Sequence, residues 1–469
     1  MAYRYDLLLK NGLVVDPATQ REGIMDLAIS GGQIVEVAPE LDPAQAKELI
    51  DTKGLYVVPG IIDLHVHASS WLGGRFAHKM LALAGVTTAL DMSGPMDSVL
   101  DVARDSGVGL NLASISYIRP GHTVTGENPS ESELQNLLEK CLAQGAIGLK
   151  ILGGHYPLTP DATALAIAVA NRSKAYVAFH AGSKKTGSNI EGFLEAVALA
   201  QDHSLHIAHV NSYCRGLIRP CIAEAEEAVA ALIASPKVRS ESYLSPMNGT
   251  SAKCSGGTPE SLVTQKCLAI GGFPSTEAGM EQATLAGWAQ INVEAGGRMV
   301  LATGPEAVAY WRQKQTDATV GFRVNPPEPR LRLVTAKRPS GGFVVDCIST
   351  DGGGIPRNVI AEMGLALVKL QALTMPEFVI KACYNPARIL GLANKGHFRE
   401  GADADVTVLD LETQQPVMAI ANGQVIMHKG FVCGTGGRIV TTAAGAAYVR
   451  QKGLTPLVVD LAHSGFYQW

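Results

Sequence analysis

The sequence predicts a mixed α/β protein: a (β/α)8 barrel of the TIM type with a small β-sandwich built from both ends of the chain. Strand-like runs alternate with amphipathic helical stretches through residues 59–397, and β-rich texture with Asn-Gly and Gly-Gly turns occupies both ends. The length, 469 residues, is more than one compact core holds and leaves room for a second unit beside a barrel of roughly 250 residues.

At the amino end, residues 6–9, 13–16, 26–30, 33–37 and 55–58 read as short strands, and residues 405–410, 416–421 and 424–429 repeat that texture, with Asn422-Gly423 as a hairpin signal. Residues 1–58 and 398–440 are therefore expected to form one composite β unit, with 59–397 as the barrel. Eight candidate barrel strands follow in order: 61–67, 86–92, 108–117, 146–152, 175–180, 205–211, 238–243 and 344–351. Helical patterns lie between most of them. Ser130 and Glu133 have capping-box spacing ahead of Leu134, Leu137 and Leu138. A doubly wound open sheet is the competing arrangement of the same alternation. Residues 245–342 break the rhythm; they carry helical patterns at 277–294 and 305–315 and read as an insertion, a lid or an oligomer contact. Residues 441–469 read as a tail packed on the body, because a solvated end would hardly carry Phe466, Tyr467 and Trp469 together.

Composition narrows the function. Apolar residues make up 46% and charged residues 17%, which is globular and excludes disorder. The net charge of −4, without a Lys/Arg run, argues against nucleic acid as partner. No apolar stretch reaches about 18 residues, so a spanning helix and a membrane partner are not expected. The eight cysteines form no CxxC and the opening MAYRYDLLLKNG has no apolar signal core, so reduced thiols and the cytoplasm are expected.

The candidate chemistry begins at His65-Val66-His67. Side chains alternate along a strand, so both imidazoles share a face and reach one metal from the C-terminal end of an inward-facing strand. A surface pair of histidines is the plain alternative. Lys150 lies inside the apolar strand Gly145–Leu152, where an ammonium is costly to bury. It snorkels to the rim, pairs with a carboxylate, or reacts with CO2 to form a carbamate that bridges two metals. His180 and His209 each close a candidate strand, and imidazole is a common metal ligand. His206 stands three residues before His209 and is therefore expected on the opposite, outer face. Asp351 ends the last strand, suited to ligate a metal and act as general base; a helix N-cap is its structural alternative. Of the remaining histidines, His78, His122, His155, His203, His397, His428 and His463, most are expected at surface or packing positions. Arg215, Lys184, Lys185 and Arg357 are candidates for a substrate carboxylate, and His122, Tyr156 and Tyr213 for polarising a carbonyl.

Taken with the entry strand Pro59-Gly60-Ile61-Ile62-Asp63-Leu64-His65-Val66-His67, the run Asn385–Leu392 and the exit Gly396–Asp405, this pattern resembles the amidohydrolase superfamily over nearly the whole chain. The resemblance implies a hydrolase of C–N amide bonds other than peptide bonds. It implies two divalent metals, zinc by ligand chemistry, with His65, His67 and Asp351 at one ion, His180 and His209 at the other, and a carboxylated Lys150 between them. Gly145–Lys150 is similar to dihydroorotases, hydantoinases and isoaspartyl dipeptidases. The 29-residue step from His180 to His209, with Gly121-His122, Tyr156-Pro157 and Ser240-Glu241-Ser242-Tyr243, is similar to the N-acyl-D-amino-acid deacylases. Asp91-Met92-Ser93-Gly94-Pro95 lacks the bridging cysteine of that branch. The expected substrate is a small N-acyl-amino-acid-like amide. A cyclic amide of the hydantoinase or dihydroorotase kind, and a catalytically silent binding or assembly homologue, are the alternatives. A homo-oligomer is the expected assembly.

Overall fold

The computed structural model describes residues 3–70 and 74–468. Two six-stranded parallel sheets form its centre. One runs in the order Gly352–Gly353, Ile61–His67, Val86–Asp91, Val108–Ser114, Gly436–Thr441, Thr455–Val458; the other runs Cys347–Ser349, Val238–Tyr243, Leu205–Ile207, Tyr176–His180, Gly148–Leu152, Ser116–Ile118. Continuous chain joins the two sheets at Ile115 and again at Thr350-Asp351. Backbone bonds cross both joints: Ile147 N to Ser114 O at 2.8 Å, and Asp351 N to His65 O at 2.8 Å. Helices such as Gly74–Leu83, Met96–Ser106, Pro160–Arg172 and Cys221–Ala234 return the chain between successive strands. Helix Glu131–Ala143 starts in the expected capping box, Ser130 with Glu133.

Three of the expected strands are interrupted within their apolar runs. The 108–117 run divides at Ile115. The 205–211 run stops at Ile207 and becomes a 3-10 turn over Val210–Tyr213. The 344–351 run divides around Asp351. The last two breaks have a common cause: His209 and Asp351 sit at φ 37° and 53°, in the left-handed region, where a β ladder cannot continue.

The two β-rich ends form one nine-stranded sheet rather than two stacked ones. Its order is Phe431–Val432, Gln424–His428, Gln415–Ala421, Val406–Asp410, Tyr56–Pro59, Tyr5–Asp16, Arg21–Ser30, Gln33–Ala38, and Ala46–Asp51, absent from the expected strands, pairs parallel to Tyr5–Asp16. The sheet curls, because the Gln33–Ala38 edge bonds to the segment before Val406–Asp410: Ile34 N reaches Ala402 O at 2.8 Å and Gly401 N reaches Ile34 O at 2.8 Å. Leu7, Leu9, Val14, Leu27, Ile29, Val57, Val406, Val408 and Ile420 fill the interior of the curl. Burial of this apolar face, at about 25 cal/mol per Å2, is what holds the two chain ends together.

Within the 245–342 stretch, strands Asn248–Ser251, Thr319–Phe322, Ala289–Ala295 and Arg298–Ala302 make a separate antiparallel sheet. Trp311, Phe322, Met280, Leu268, Ile291 and Val320 give it its own core. The expected helix over 277–294 ends at Leu285: Gly287 takes φ 78°, and Ala289–Ala295 then alternates as a strand. The C-terminal residues do more than pack as a tail. Gly436–Thr441 pairs with Val108–Ser114, and Thr455–Val458 pairs beyond it. Phe466 is fully buried on the Tyr176 ring, centroids 4.4 Å apart, and Gly465 O accepts from Arg239 Nε at 3.1 Å. These residues close the amino-terminal end of the parallel strands. All eight cysteines are free. No helix among the described residues is long and apolar enough to cross a membrane.

Candidate metal centre and active site

The C-terminal ends of the parallel strands bring His65, His67, His180, His209 and Asp351 together. His65 and His209 stack with centroids 5.2 Å apart, His65 and His67 lie 5.5 Å apart, and His180 meets His209 edge-on at 4.5 Å. Asp351 Oδ1 stands 2.7 Å from His67 Nε2 and 3.3 Å from His65 Nε2. One donor atom from each of His65, His67 and Asp351 lies within 4.8 Å of the others.

A buried carboxylate orders this cluster. Glu241 Oε1 accepts from His65 Nδ1 at 2.7 Å and from the His209 backbone N–H at 2.7 Å, and Glu241 Oε2 accepts from the Ser349 hydroxyl. With its Nδ1 proton given to Glu241, neutral His65 presents its Nε2 lone pair to the Asp351 oxygen. Two acceptors facing each other in a buried site call for a cation between them. The buried Nδ1 atoms of His67 and His209 have no hydrogen-bond partner among the described residues. The donor set therefore fits a divalent metal. Burial holds His65, His180 and His209 well below the usual imidazole range, so they are neutral and able to ligate. Burial would raise Asp351, but the Arg357 guanidinium and the His67 hydrogen bond outweigh it and keep the carboxyl ionised, well below the ordinary value.

Lys150 is 2% exposed and faces this cluster. Its Nζ reaches only the weakly accepting sulfur of Met92, at 2.9 Å, and among the described residues no carboxylate comes within ion-pair distance. Burial lowers its ammonium to about 8. Neither rim solvation nor an ion pair accounts for it. Asp91, at the end of the second parallel strand, is spent on local bonds, accepting from Ala68 N at 2.8 Å, Gly94 N at 2.8 Å and Ser114 Oγ at 2.9 Å.

His206 is the clearest correction. It lies in register with Ala178, which alternates onto the same face as His180, and its Nδ1 meets the Tyr176 hydroxyl at 2.6 Å inside the ring. Strict alternation does not carry from His206 to His209, because the strand ends at Ile207 and the left-handed His209 turns the chain, so both face inward together. Tyr213 packs against the cluster, 5.5 Å from His209, and its hydroxyl accepts from Ala181 N at 2.7 Å. Arg215 bonds to Asn325 at 2.9 Å and Asn248 at 3.0 Å, tying both roots of the inserted sheet to the loop after His209. Arg357 is committed to Asp351, with Nη2 at 2.5 Å from Oδ2. His122 and Tyr156 stand outside the cluster: His122 lies over Tyr117 at 5.8 Å, and Tyr156, 40% exposed, sits beneath the Arg119 guanidinium. Lys184 pairs with Glu127 on the surface.

Sequence reasoning missed two residues here. Glu241 sat in a quoted motif without a role; its signal was a lone carboxylate in a strand otherwise destined for burial. His155 carries no role in the sequence pattern, yet its ring lies edge-on to His180 at 5.0 Å. Burial lowers it to about 4.

Convergent imidazoles and a carboxylate at the C-terminal ends of parallel strands define a site of the metal-dependent hydrolase kind. The family model for the amidohydrolase family matches residues 56–222 and 340–440, and the chain belongs to that family, as a hydrolase of C–N bonds other than peptide bonds. Its sequence is 24% identical to a dihydroorotase of Geobacter metallireducens over 86% of this chain and 90% of the relative. It is 24% identical to a dihydroorotase of Geotalea daltonii over 95% of this chain and 98% of the relative. In fold it is similar to the N-acyl-D-glutamate deacylase of Bordetella bronchiseptica, a zinc complex, at TM-score 0.67 and 15% identity, covering 93% of this chain and 99% of that one. It is also similar to the dihydropyrimidinase of Brevibacillus agri at TM-score 0.60 and 16% identity, covering 94% and 99%.

Proposed function

We propose that this protein hydrolyses the C–N amide bond of a small N-acyl-amino-acid-like substrate with two divalent metals, zinc by ligand preference. The joined parallel sheets are read as one (β/α)8 barrel, with residues 1–58 and 398–440 as the composite β unit except for the strand from Gly436, which pairs into the parallel sheet. The observation that carries the proposal is the buried His65 Nε2 lone pair set against the Asp351 carboxylate, ringed by His67, His180, His209 and an unpaired Lys150. His65, His67 and Asp351 would hold one ion, His180 and His209 the other, with Lys150 bridging as its carbamate. When bound, the metals supply a water that ionises near neutral pH and positive charge for the amide carbonyl.

The chain's own residues do the rest. Ionised Asp351 takes the proton of the attacking water and passes it to the leaving nitrogen. Arg357 holds that carboxylate in place through its side chain and through the Asp351 carbonyl, Nε to O at 2.6 Å. Glu241 keeps His65 in the tautomer that exposes Nε2. Arg215, bound to amide oxygens and to no carboxylate among the described residues, is assigned to a substrate carboxylate. Tyr213, His122 and Tyr156 remain assigned to the substrate side, the last two at the rim. A homo-oligomer is the proposed assembly.

A second reading, a cyclic amidohydrolase, is favoured by the near-full-length relatives named dihydroorotase. A panel of N-acyl amino acids, β-dipeptides and cyclic imides decides: turnover confined to the ring amides overturns the linear-substrate reading. Lys150→Ala is expected to lose metal and turnover together, with part of both restored by a short carboxylic acid. Two retained metals and full turnover in that variant would remove the carbamate bridge. A purified wild-type protein that takes up no divalent metal would favour a silent binding homologue.

A further inference from the structure

We propose that His155 is a substrate-facing catalytic residue, whose ring N–H donates a hydrogen bond to the amide carbonyl oxygen as negative charge builds there. This rests on the amide-hydrolase reading of the same site. The position is built by the backbone. The turn after Gly148–Leu152 is closed by His155 N and Tyr156 N on the Leu152 carbonyl, at 3.0 and 2.7 Å. Two glycines let it press against the neighbouring strand end. A Cβ at Gly153 would lie 1.9 Å from Gly182 O, and one at Gly154 would lie 2.0 Å from His180 Nε2. The next side chain then lands on the cluster, with the His155 ring edge-on to His180 at 70°. Tyr156 turns the other way, beneath Arg119, so His155 is the ring residue of this turn that faces the site.

His155 is also placed for substrate rather than for scaffolding. It is half-buried, as His67 and His180 are, whereas His65 and His209 are buried, so it lies on the open side of the cluster. Its ring makes no hydrogen bond among the described residues, while the His180 Nε2 beside it already meets Ser188 Oγ at 3.0 Å. An imidazole N–H held beside the cluster stabilises a developing oxyanion without reorganising, an effect of about 100-fold for a single donor.

The test compares wild type with His155→Ala and His155→Gln, using the N-acyl amino acid or cyclic imide that wild type turns over and a phosphonate mimic of its tetrahedral adduct. Metal content is measured alongside. Both variants should keep the wild-type metal content and a KM close to wild type. His155→Ala should lose about 100-fold in kcat and bind the phosphonate at least about 10-fold more weakly. His155→Gln, which keeps an N–H donor, and added imidazole should each recover part of the loss. Turnover within about twofold of wild type in His155→Ala overturns the proposal. So does a fall in metal content that tracks the fall in activity, which would make His155 a support or ligand of the metal site. A wild type that neither turns over the panel nor binds the phosphonate overturns the amide-hydrolase reading, and this inference with it.

Discussion

Glu241 shows how one buried carboxylate organises several functional groups. It is fully buried, and burial raises its carboxyl above the ordinary range, yet it spends both oxygens on His65, the His209 backbone and Ser349. The His65 bond is the one with chemical consequence, because it decides which imidazole nitrogen faces Asp351. Glu241→Gln keeps the shape but can present an N–H where His65 needs an acceptor. On the proposed reading, metal affinity should fall by about 10- to 100-fold with little change in the circular dichroism spectrum. Metal titration of the purified variant measures it, and an unchanged affinity would remove Glu241 from the site.

At the scale of elements, the helix Ala446–Gln451 depends on a contact far away in sequence. Asp97, in helix Met96–Ser106, meets the Tyr448 hydroxyl at 2.5 Å and Lys452 Nζ at 2.8 Å. The Lys452 and Tyr448 bonds hold the Asp97 carboxyl below its ordinary value. A depressed carboxylate contributes its stability above the unfolded pKa and loses it as pH falls through the folded one. Asp97→Asn should therefore lower the melting temperature slightly at pH 7, a small effect because the pair is partly solvated. The gap to wild type should close as pH drops below about 4. Thermal unfolding across pH checks this; a gap that widens in acid contradicts it. The same scale explains the misjudged strands. Apolar runs at 205–211 and 344–351 are long enough for ladders, but at His209 and Asp351 the backbone leaves the β region to aim functional side chains inward.

For the whole molecule, the last residues act as a floor under the parallel strands. Phe466 stacks on Tyr176, whose hydroxyl holds His206 in the layer beneath the site. Phe466→Ala removes a fully buried aromatic and should cost about 3–5 kcal/mol in chemical denaturation. Unfolding unchanged within about 1 kcal/mol would show that the floor collapses without cost.

Periodicity and chemistry alone determined much of this protein. The strand-helix alternation, the β-rich ends, the His65-Val66-His67 face, the burial of Lys150 and the position of Asp351 all follow from side-chain spacing and from the cost of burying charge, which are local properties. Only the tertiary structure decided that the two ends share one curled sheet, that residues 436–458 extend the parallel strands, that His206 faces inward and that Glu241 and His155 join the cluster. Those outcomes depend on two left-handed residues, a pair of glycines and contacts between segments far apart in the chain. A one-residue change of backbone direction reverses the face of everything after it, and a hydrophobicity pattern carries no mark of where that happens.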